Sequence, residues 1–279
     1  LKGLLLMLCK YAIFLLLNLF LMTGCTTAPP APLVPPGEPL APAEAAPVVA
    51  PEPEAPTEPA KKVYLTFDDG PNSYYTGLVL DVLKEYDIKA SFAVLGCNID
   101  KNPDVFKKIL DEGHGIVNHS YSHDYKNIYS NPQAFLADLE ACNESIARIR
   151  GNGVKIFRAP GGPSKLDRET FELLEQNGYI SVSWNVTSAD TDPGGASPEQ
   201  IIANVQNGII RMESFEKAPI VLMHDGTEIN RSKNPPGSAV ANYIRNRESI
   251  VAALPEIIEF LMARNYTFAL VDENTPPAW

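Results

Sequence analysis

After residue 60, apolar positions along this chain fall into two rhythms. Short, mostly apolar runs occur at Val63–Phe67, Ala90–Leu95, Gly115–Asn118, Lys155–Arg158, Ile180–Trp184, Pro219–Met223 and Thr267–Val271. They read as strands buried on both faces. Between them, apolar residues recur every three to four positions over Tyr75–Tyr86, Pro103–Glu112, Pro132–Arg150, Asp167–Asn177, Pro198–Met212 and Glu248–Arg264. That is the spacing of amphipathic helices, and several open on Ser, Asn or Asp beside a proline and close near a glycine. Seven strands alternating with six helices predict a single parallel α/β domain over residues 61–279, closed as a barrel or opened as a doubly wound sheet. No internal repeat interrupts the alternation.

The first 60 residues have neither rhythm. Lys2 and Lys10 precede an uncharged run, Tyr11–Met22, that ends in Thr23-Gly24-Cys25, the shape of a secretory leader. The run is shorter than the roughly 20 residues that span a bilayer. Joined across Lys10 to Leu4–Cys9 it approaches that length, so an uncleaved anchor is the alternative. The small residues before Cys25 resemble a bacterial lipoprotein box, with Met22 where leucine or valine is usual. That resemblance implies a signal peptide at 1–24, a lipidated Cys25 as membrane anchor, and an exported domain facing the cell wall or periplasm. Residues 26–60 are rich in proline, alanine and glutamate. Such a linker favours extended polyproline II, at about 3.1 Å per residue, and would reach about 100 Å.

Composition narrows the function classes. With 45% hydrophobic and 20% charged residues, the chain is neither a disordered polar tract nor a multispanning membrane protein. Its net charge of -11 and lack of a basic cluster argue against nucleic acid as a partner. Cys9, Cys25, Cys97 and Cys142 are too scattered for a disulfide scaffold or a four-thiolate zinc site. Cys97 and Cys142 either pair or stay as two buried thiols.

Chemistry in parallel α/β folds gathers at the carboxyl ends of strands. There the sequence places Asp68-Asp69-Gly70, His119-Ser120-Tyr121-Ser122-His123, Arg158-Ala159-Pro160-Gly161-Gly162, Asp190 and His224. His119 and His123, at i and i+4, would share one face of a helical turn, and with a carboxylate they would make a three-ligand metal site. A divalent ion there lowers the pKa of a bound water toward neutrality. Asp68 and Asp69 would divide metal binding and proton acceptance, because neighbouring side chains point in different directions. Arg158 needs a carboxylate, for which Asp68 is suited. His224 could donate a proton, oriented by Asp190. Taken singly, these features also read as an ordinary turn, a surface histidine pair, a salt bridge and a packed histidine. A serine hydrolase is disfavoured, since no Gly-x-Ser-x-Gly elbow occurs, and there is no phosphate-binding glycine loop.

The ordered set Thr66-Phe67-Asp68-Asp69-Gly70, His119-x-x-x-His123, Arg158-x-Pro160-x-Gly162, Asp190 and Leu222-x-His224 resembles the polysaccharide deacetylase family, the NodB-homology domain of carbohydrate esterase family 4. The resemblance implies a distorted (β/α) barrel of about seven strands. It implies one divalent metal on Asp69, His119 and His123, zinc before cobalt or nickel. Asp68 would be the general base, held by Arg158, and His224 the general acid, oriented by Asp190. The Gly161 N–H would donate to the oxyanion, while Pro160, Gly162 and Leu222 would line the acetyl pocket.

Two positions depart from the family pattern. Thr187-Ser188-Ala189-Asp190-Thr191 keeps one of two aspartates and lacks a tryptophan, which predicts a reshaped groove wall and a less shielded Asp190. Gly161 stands where many members carry tyrosine, which predicts a more open groove. The implied activity is removal of N-acetyl groups from an envelope amino-sugar polymer by a monomer, with N-acetylglucosamine of peptidoglycan favoured over chitin oligomers, exopolysaccharide or xylan. A catalytically silent wall-glycan-binding lipoprotein would instead show a broken ligand or base. A purely structural metal site would need a fourth protein ligand, and Cys97 is the nearest thiol candidate.

Overall fold

The computed structural model describes residues 61–226 and 238–278; the leader, Cys25 and the proline-rich linker lie outside the described residues. Among those described, no helix is long and apolar enough to cross a membrane. In chain order the elements are β1 (Lys61–Asp68), α1 (Tyr75–Glu85), β2 (Ser91–Val94), α2 (Gly96–Lys101), α3 (Pro103–Asp111), β3 (Gly115–Asn118), α4 (Tyr125–Ile128), α5 (Pro132–Arg150) and β4 (Ile156–Phe157). A 3-10 turn (Pro163–Lys165) leads to α6 (Arg168–Gln176), β5 (Ile180–Ser181), β6 (Val186–Thr187), α7 (Pro198–Ser214), β7 (Ile220–His224), α8 (Ala239–Ala263) and β8 (Tyr266–Phe268).

The strands pair in parallel in the order β5-β4-β3-β2-β1-β7-β6, with β8 beside the first three residues of β1. The outermost strands, β5 and β6, are consecutive in sequence. Five peptide steps from Ser181 to Val186 can reach at most about 19 Å. Laid flat, strands in this order would hold those edges about 28 Å apart. The sheet therefore curls until its edges approach, which gives the distorted (β/α) barrel and rules out the open doubly wound sheet.

The seven anticipated strands and six helices are all present; the short helices α2 and α4 and the strand β6 are additions, and α8 is longer than expected. The dipeptide strand β6 was not anticipated, because Val186 stands alone between Asn185 and Thr187-Ser188, whereas the equally short β4 and β5 sit within longer apolar runs. Helix α8 starts nine residues before the predicted Glu248. Ser238 caps it, accepting the Ala241 N–H at 3.2 Å, and Asn246 and Arg247 are buried in its second and third turns. Buried polar side chains broke the apolar period there.

Period-2 alternation along the strands builds the site. Val63, Leu65 and Phe67 of β1 face the helices, in one core with Phe92, Val94, Val221 and Met223. The Phe67 and Phe92 rings stack at 5.3 Å. Truncating either buried ring would cost about 3–5 kcal/mol. The alternate positions turn the other way: Tyr64, Ala93, Val117 and Ile220 form a second, smaller core inside the barrel, with Ile156 packed on it. Four of these inward columns, continued upward, reach a polar residue. Tyr64 leads through Thr66 to Asp68, Val117 to His119, Ile156 to Arg158, and Ile220 through Leu222 to His224.

Candidate active site

Asp68 is buried at the end of β1, and Asp69 follows in the left-handed region at φ 74°. Its backbone is held there. The Asp69 N–H donates to the Ala93 carbonyl at 3.1 Å, and Asn98 Nδ2 donates to the Asp69 carbonyl at 2.8 Å. Gly226, after β7, passes so close that a Cβ at that position would overlap the Asp69 backbone. Among the described residues, three other non-glycine positions in the loops at this end of the barrel, Ser120, His123 and Ala189, also have positive φ. Strained backbone of this kind collects at functional sites.

His119 and His123 do not lie on a helical turn, contrary to the reading of their spacing. The segment is a loop shaped by side chains. Asn118 Oδ1 accepts the Ser120 N–H at 3.0 Å, Ser120 Oγ accepts the His123 N–H at 3.0 Å, and Asp138 Oδ2 accepts the Tyr121 N–H at 2.7 Å. These bonds outcompete helical ones and leave the two imidazoles 5.3 Å apart. Asp69 Oδ1 lies 3.4 Å from Nε2 of both histidines. That oxygen is buried and takes no hydrogen bond.

His119 Nδ1 lies 2.8 Å from the Arg158 carbonyl, an acceptor, so Nδ1 carries the hydrogen and Nε2 of the neutral ring turns a lone pair toward Asp69. Lone pairs facing one another at this separation call for a cation between them. Two ligands about 2.1 Å from an ion at a tetrahedral angle stand about 3.4 Å apart, so these three residues fit a divalent metal. Burial alone would lower the His119 pKa, but Asp68 and Asp69 raise it above the ordinary value, a sign that the pocket favours positive charge. Burial lowers that of His123. Among the described residues the ligand cluster is Asp69, His119 and His123; Cys97 is not part of it. Cys97 and Cys142 form no disulfide.

Arg158 is fully buried inside the barrel and its fork reaches back to β1. Its NH1 donates to Asp68 Oδ1 and to Thr66 Oγ1, both at 2.7 Å, and NH2 donates to the Ser183 carbonyl at 3.2 Å. The predicted Arg158–Asp68 pair is therefore present, one register step from the ligands: Asp68 Oδ2 lies 3.8 Å from His119 Nε2.

On the other side of β1, His224 pairs in register with Asp68. Asp190 holds it twice, accepting its backbone N–H at 2.9 Å through Oδ2 and facing Nδ1 at 2.9 Å through Oδ1. Burial works against protonation of His224, but Asp190 raises its pKa above the ordinary value. Burial likewise opposes ionisation of Asp190, yet His224 and Arg247 hold its carboxyl below the usual range. Asp225, next in the chain, accepts a hydrogen bond from the Thr76 hydroxyl, and burial pushes its pKa up to about 7.

Asp190 is not less shielded for want of a tryptophan. It is 1% exposed, covered by Arg247 of α8 and by Ser188, whose hydroxyl donates to Oδ1 at 2.8 Å. Nor is the face of Gly161 open. A Cβ there, at φ 73°, would stand 2.9 Å from Tyr125 Oη. Tyr125 packs its ring edge-on to His123 at 5.2 Å and keeps 42% of its surface exposed. Beside it, the Pro160 carbonyl accepts from Tyr129 Oη at 2.6 Å, and Gly162 abuts Trp184. Leu222 sits on β7, 8% exposed, in register with Thr66 and one inward step below His224.

Sequence reasoning missed Tyr125, Tyr243 and Arg247. Tyr243 Oη donates to Asp69 Oδ2 at 3.3 Å. Tyr243 and Arg247 lie in a stretch, Asn242 to Arg247, too polar to read as a buried helix.

A family model described as Polysaccharide deacetylase matches residues 55–182. A peptidoglycan-N-acetylglucosamine deacetylase of Bacillus cereus is 30% identical over 216 residues, covering 76% of this chain and 87% of that protein. A chitooligosaccharide deacetylase of Sinorhizobium fredii is 30% identical over 217 residues, covering 77% and 92%. Among solved structures, the catalytic domain of a peptidoglycan N-acetylglucosamine deacetylase from Eubacterium rectale superposes with a TM-score of 0.63 at 32% identity, covering 80% of this chain and 93% of that one.

Proposed function

The chain belongs to the polysaccharide deacetylase family of hydrolases, and from that membership we propose that it removes N-acetyl groups from N-acetylglucosamine of peptidoglycan at the cell envelope. The observation that carries this reading is the buried, unpartnered Asp69 Oδ1 facing two imidazole nitrogens at 3.4 Å, with a paired carboxylate and a paired imidazole on either side.

Asp69, His119 and His123 would hold one divalent ion, zinc before cobalt or nickel. When bound, such an ion polarises an acyl oxygen and lowers the pKa of a water in the site. Asp68, fixed by Arg158, accepts the proton of the attacking water. His224, held by Asp190 in its protonated form, gives a proton to the departing amine nitrogen. The Gly161 N–H donates to the oxygen on which charge develops, and Pro160, Gly162 and Leu222 wall the acetyl group. We assign residues 1–24 as signal peptide, Cys25 as lipid anchor and 25–60 as the tether of a monomeric domain, 61–279, on the reading of the sequence. A tether of that reach suits a polymer lying beyond the membrane.

The test is acetate release by the full chain in detergent, zinc-loaded or chelated, on peptidoglycan and on an N-acetylglucosamine oligomer. Asp68→Asn should lower turnover by about 10²- to 10⁴-fold with zinc retained, and His119→Ala should lose both zinc and activity. Preference for the oligomer would move the substrate to chitin-like chains, consistent with the second relative. Silence on both substrates with zinc bound would favour a glycan-binding protein and overturn the proposal.

A further inference from the structure

The early start of α8 brings four side chains to one end of the barrel at helical spacing. Asn242 Nδ2 donates to the Pro193 carbonyl at 2.9 Å, and Asn246 Nδ2 donates to the Asp192 carbonyl at 3.0 Å. Asn246 Oδ1 also accepts the Ala196 N–H at 2.7 Å. These bonds fasten the loop that carries Asp190. Tyr243 and Arg247, one turn apart, point to the chemistry itself. Tyr243 reaches Asp69 Oδ2 at 3.3 Å, leaving Oδ1 to the histidines. Arg247 NH1 lies 3.1 Å from Asp190 Oδ2, and NH2 donates to the Asp190 carbonyl at 2.6 Å. The guanidinium also sits 4.7 Å over the Tyr243 ring, so the two side chains brace one another.

We propose that Tyr243 and Arg247 are positioning residues of the deacetylation site, Tyr243 orienting the metal ligand Asp69 and Arg247 orienting Asp190 against the proton donor His224. The proposal rests on the function assigned above. Its warrant is geometric: one helix face supplies a partner to each half of the site, and neither residue belongs to the strand-end motifs that identify the family. Arg247 is 0% exposed, and a cation is retained in such a place only where carboxylate and carbonyl oxygens meet it. Its charge, with that of Asp190, bears on Nε2 of His224; the other ionisable groups facing that ring are Asp69 and His123.

The experiment compares the zinc-loaded full chain with Tyr243→Phe, Arg247→Gln and Arg247→Lys. Chelator competition gives zinc affinity, and acetate release across pH gives kcat, KM and the alkaline limb of the profile. Tyr243→Phe removes one hydroxyl and should weaken zinc about tenfold or more, as loss of a hydrogen bond to a ligand does. Arg247→Gln removes a positive charge that lowers the His224 pKa, so the alkaline limb should move to higher pH while kcat falls about tenfold or more and KM stays within twofold. Arg247→Lys keeps the charge but loses the fork, so kcat should fall with the limb in place, which covers the case in which the glutamine variant does not fold. Wild-type zinc affinity in Tyr243→Phe, or an unmoved limb in Arg247→Gln with kcat unchanged, overturns the proposal. If wild-type protein releases no acetate, it is the function that fails; wild-type zinc affinity in Tyr243→Phe would still decide the role of Tyr243.

Discussion

The two halves of the site are built differently. The half proposed to accept a proton and to hold the metal comes from β1, β3 and β4, where inward columns end in Asp68, His119 and Arg158 and the loops just beyond add Asp69 and His123. The half proposed to donate a proton needs longer reach. His224 ends β7, but Asp190 sits on the loop after the dipeptide strand β6, and the residue that covers it comes from the third turn of α8. In the first half, geometry follows from strand register, since Asp68 pairs with Ala93 and Asn118 with Phe157, next to Arg158. In the second, a helix must arrive before the geometry is complete. The base half should therefore tolerate little change anywhere, whereas the acid half should be tunable from α8.

Arg158→Met is the largest test of that contrast. Methionine fills similar volume without charge, so the buried Asp68 carboxylate loses its guanidinium partner. Breaking a buried pair from one side costs about 3–5 kcal/mol, which thermal melting would record as a marked drop in Tm. Turnover should fall about 10³-fold through loss of the ordered base. A variant that melts like wild type and keeps its kcat would mean the barrel interior does not set the base.

Asp190→Asn probes the other half and should cost less turnover, about 10²-fold in kcat with zinc content near wild type, although Tm should fall because the buried Arg247 loses its carboxylate. The asparagine keeps the shape but not the charge. Asp190 raises the His224 pKa, and activity is lost as pH rises through that raised value, where the imidazolium gives up its proton. Removing the carboxylate should move the alkaline limb to lower pH, opposite in direction to Arg247→Gln. A pH-rate profile with both limbs unmoved would detach His224 from proton donation.

How far each half was legible follows the same division. Asp68, Asp69, His119, His123, Arg158 and His224 each lie at, or within five residues of, the end of an apolar run, and a strand long enough to read announces its own carboxyl end. The fold was legible for that reason too, down to the parallel order implied by alternating strands and helices. Three things were not. The imidazoles meet through a loop knotted by Asn118, Ser120 and Asp138, because side-chain bonds overrode the helical spacing of the pair. Strand β6 has a single apolar residue, Val186, among polar neighbours, so no apolar run marks it. Arg247 and Asn246 are buried polar residues inside a helix, and a pattern method reads buried polarity as surface.

The smallest effect is expected at Tyr125, which belongs to neither half but borders the first. Its ring fills the space that a side chain at residue 161 would take, and an aromatic series runs inward from it, Tyr129 at 5.8 Å and Phe135 a further 5.4 Å on. Braced on one side and exposed on the other, the ring can lie against a sugar without first being ordered, so little entropy opposes the contact. Covering part of one aromatic face is worth about 1 kcal/mol. Tyr125→Ala should therefore raise KM for an N-acetylglucosamine oligomer about fivefold, with kcat and zinc content unchanged. Tyr125→Phe, which keeps the ring, should stay near wild type. If the phenylalanine variant instead lost turnover while KM held, the hydroxyl beside Gly161 would be acting on the reacting group, and the ring would belong to the base half after all.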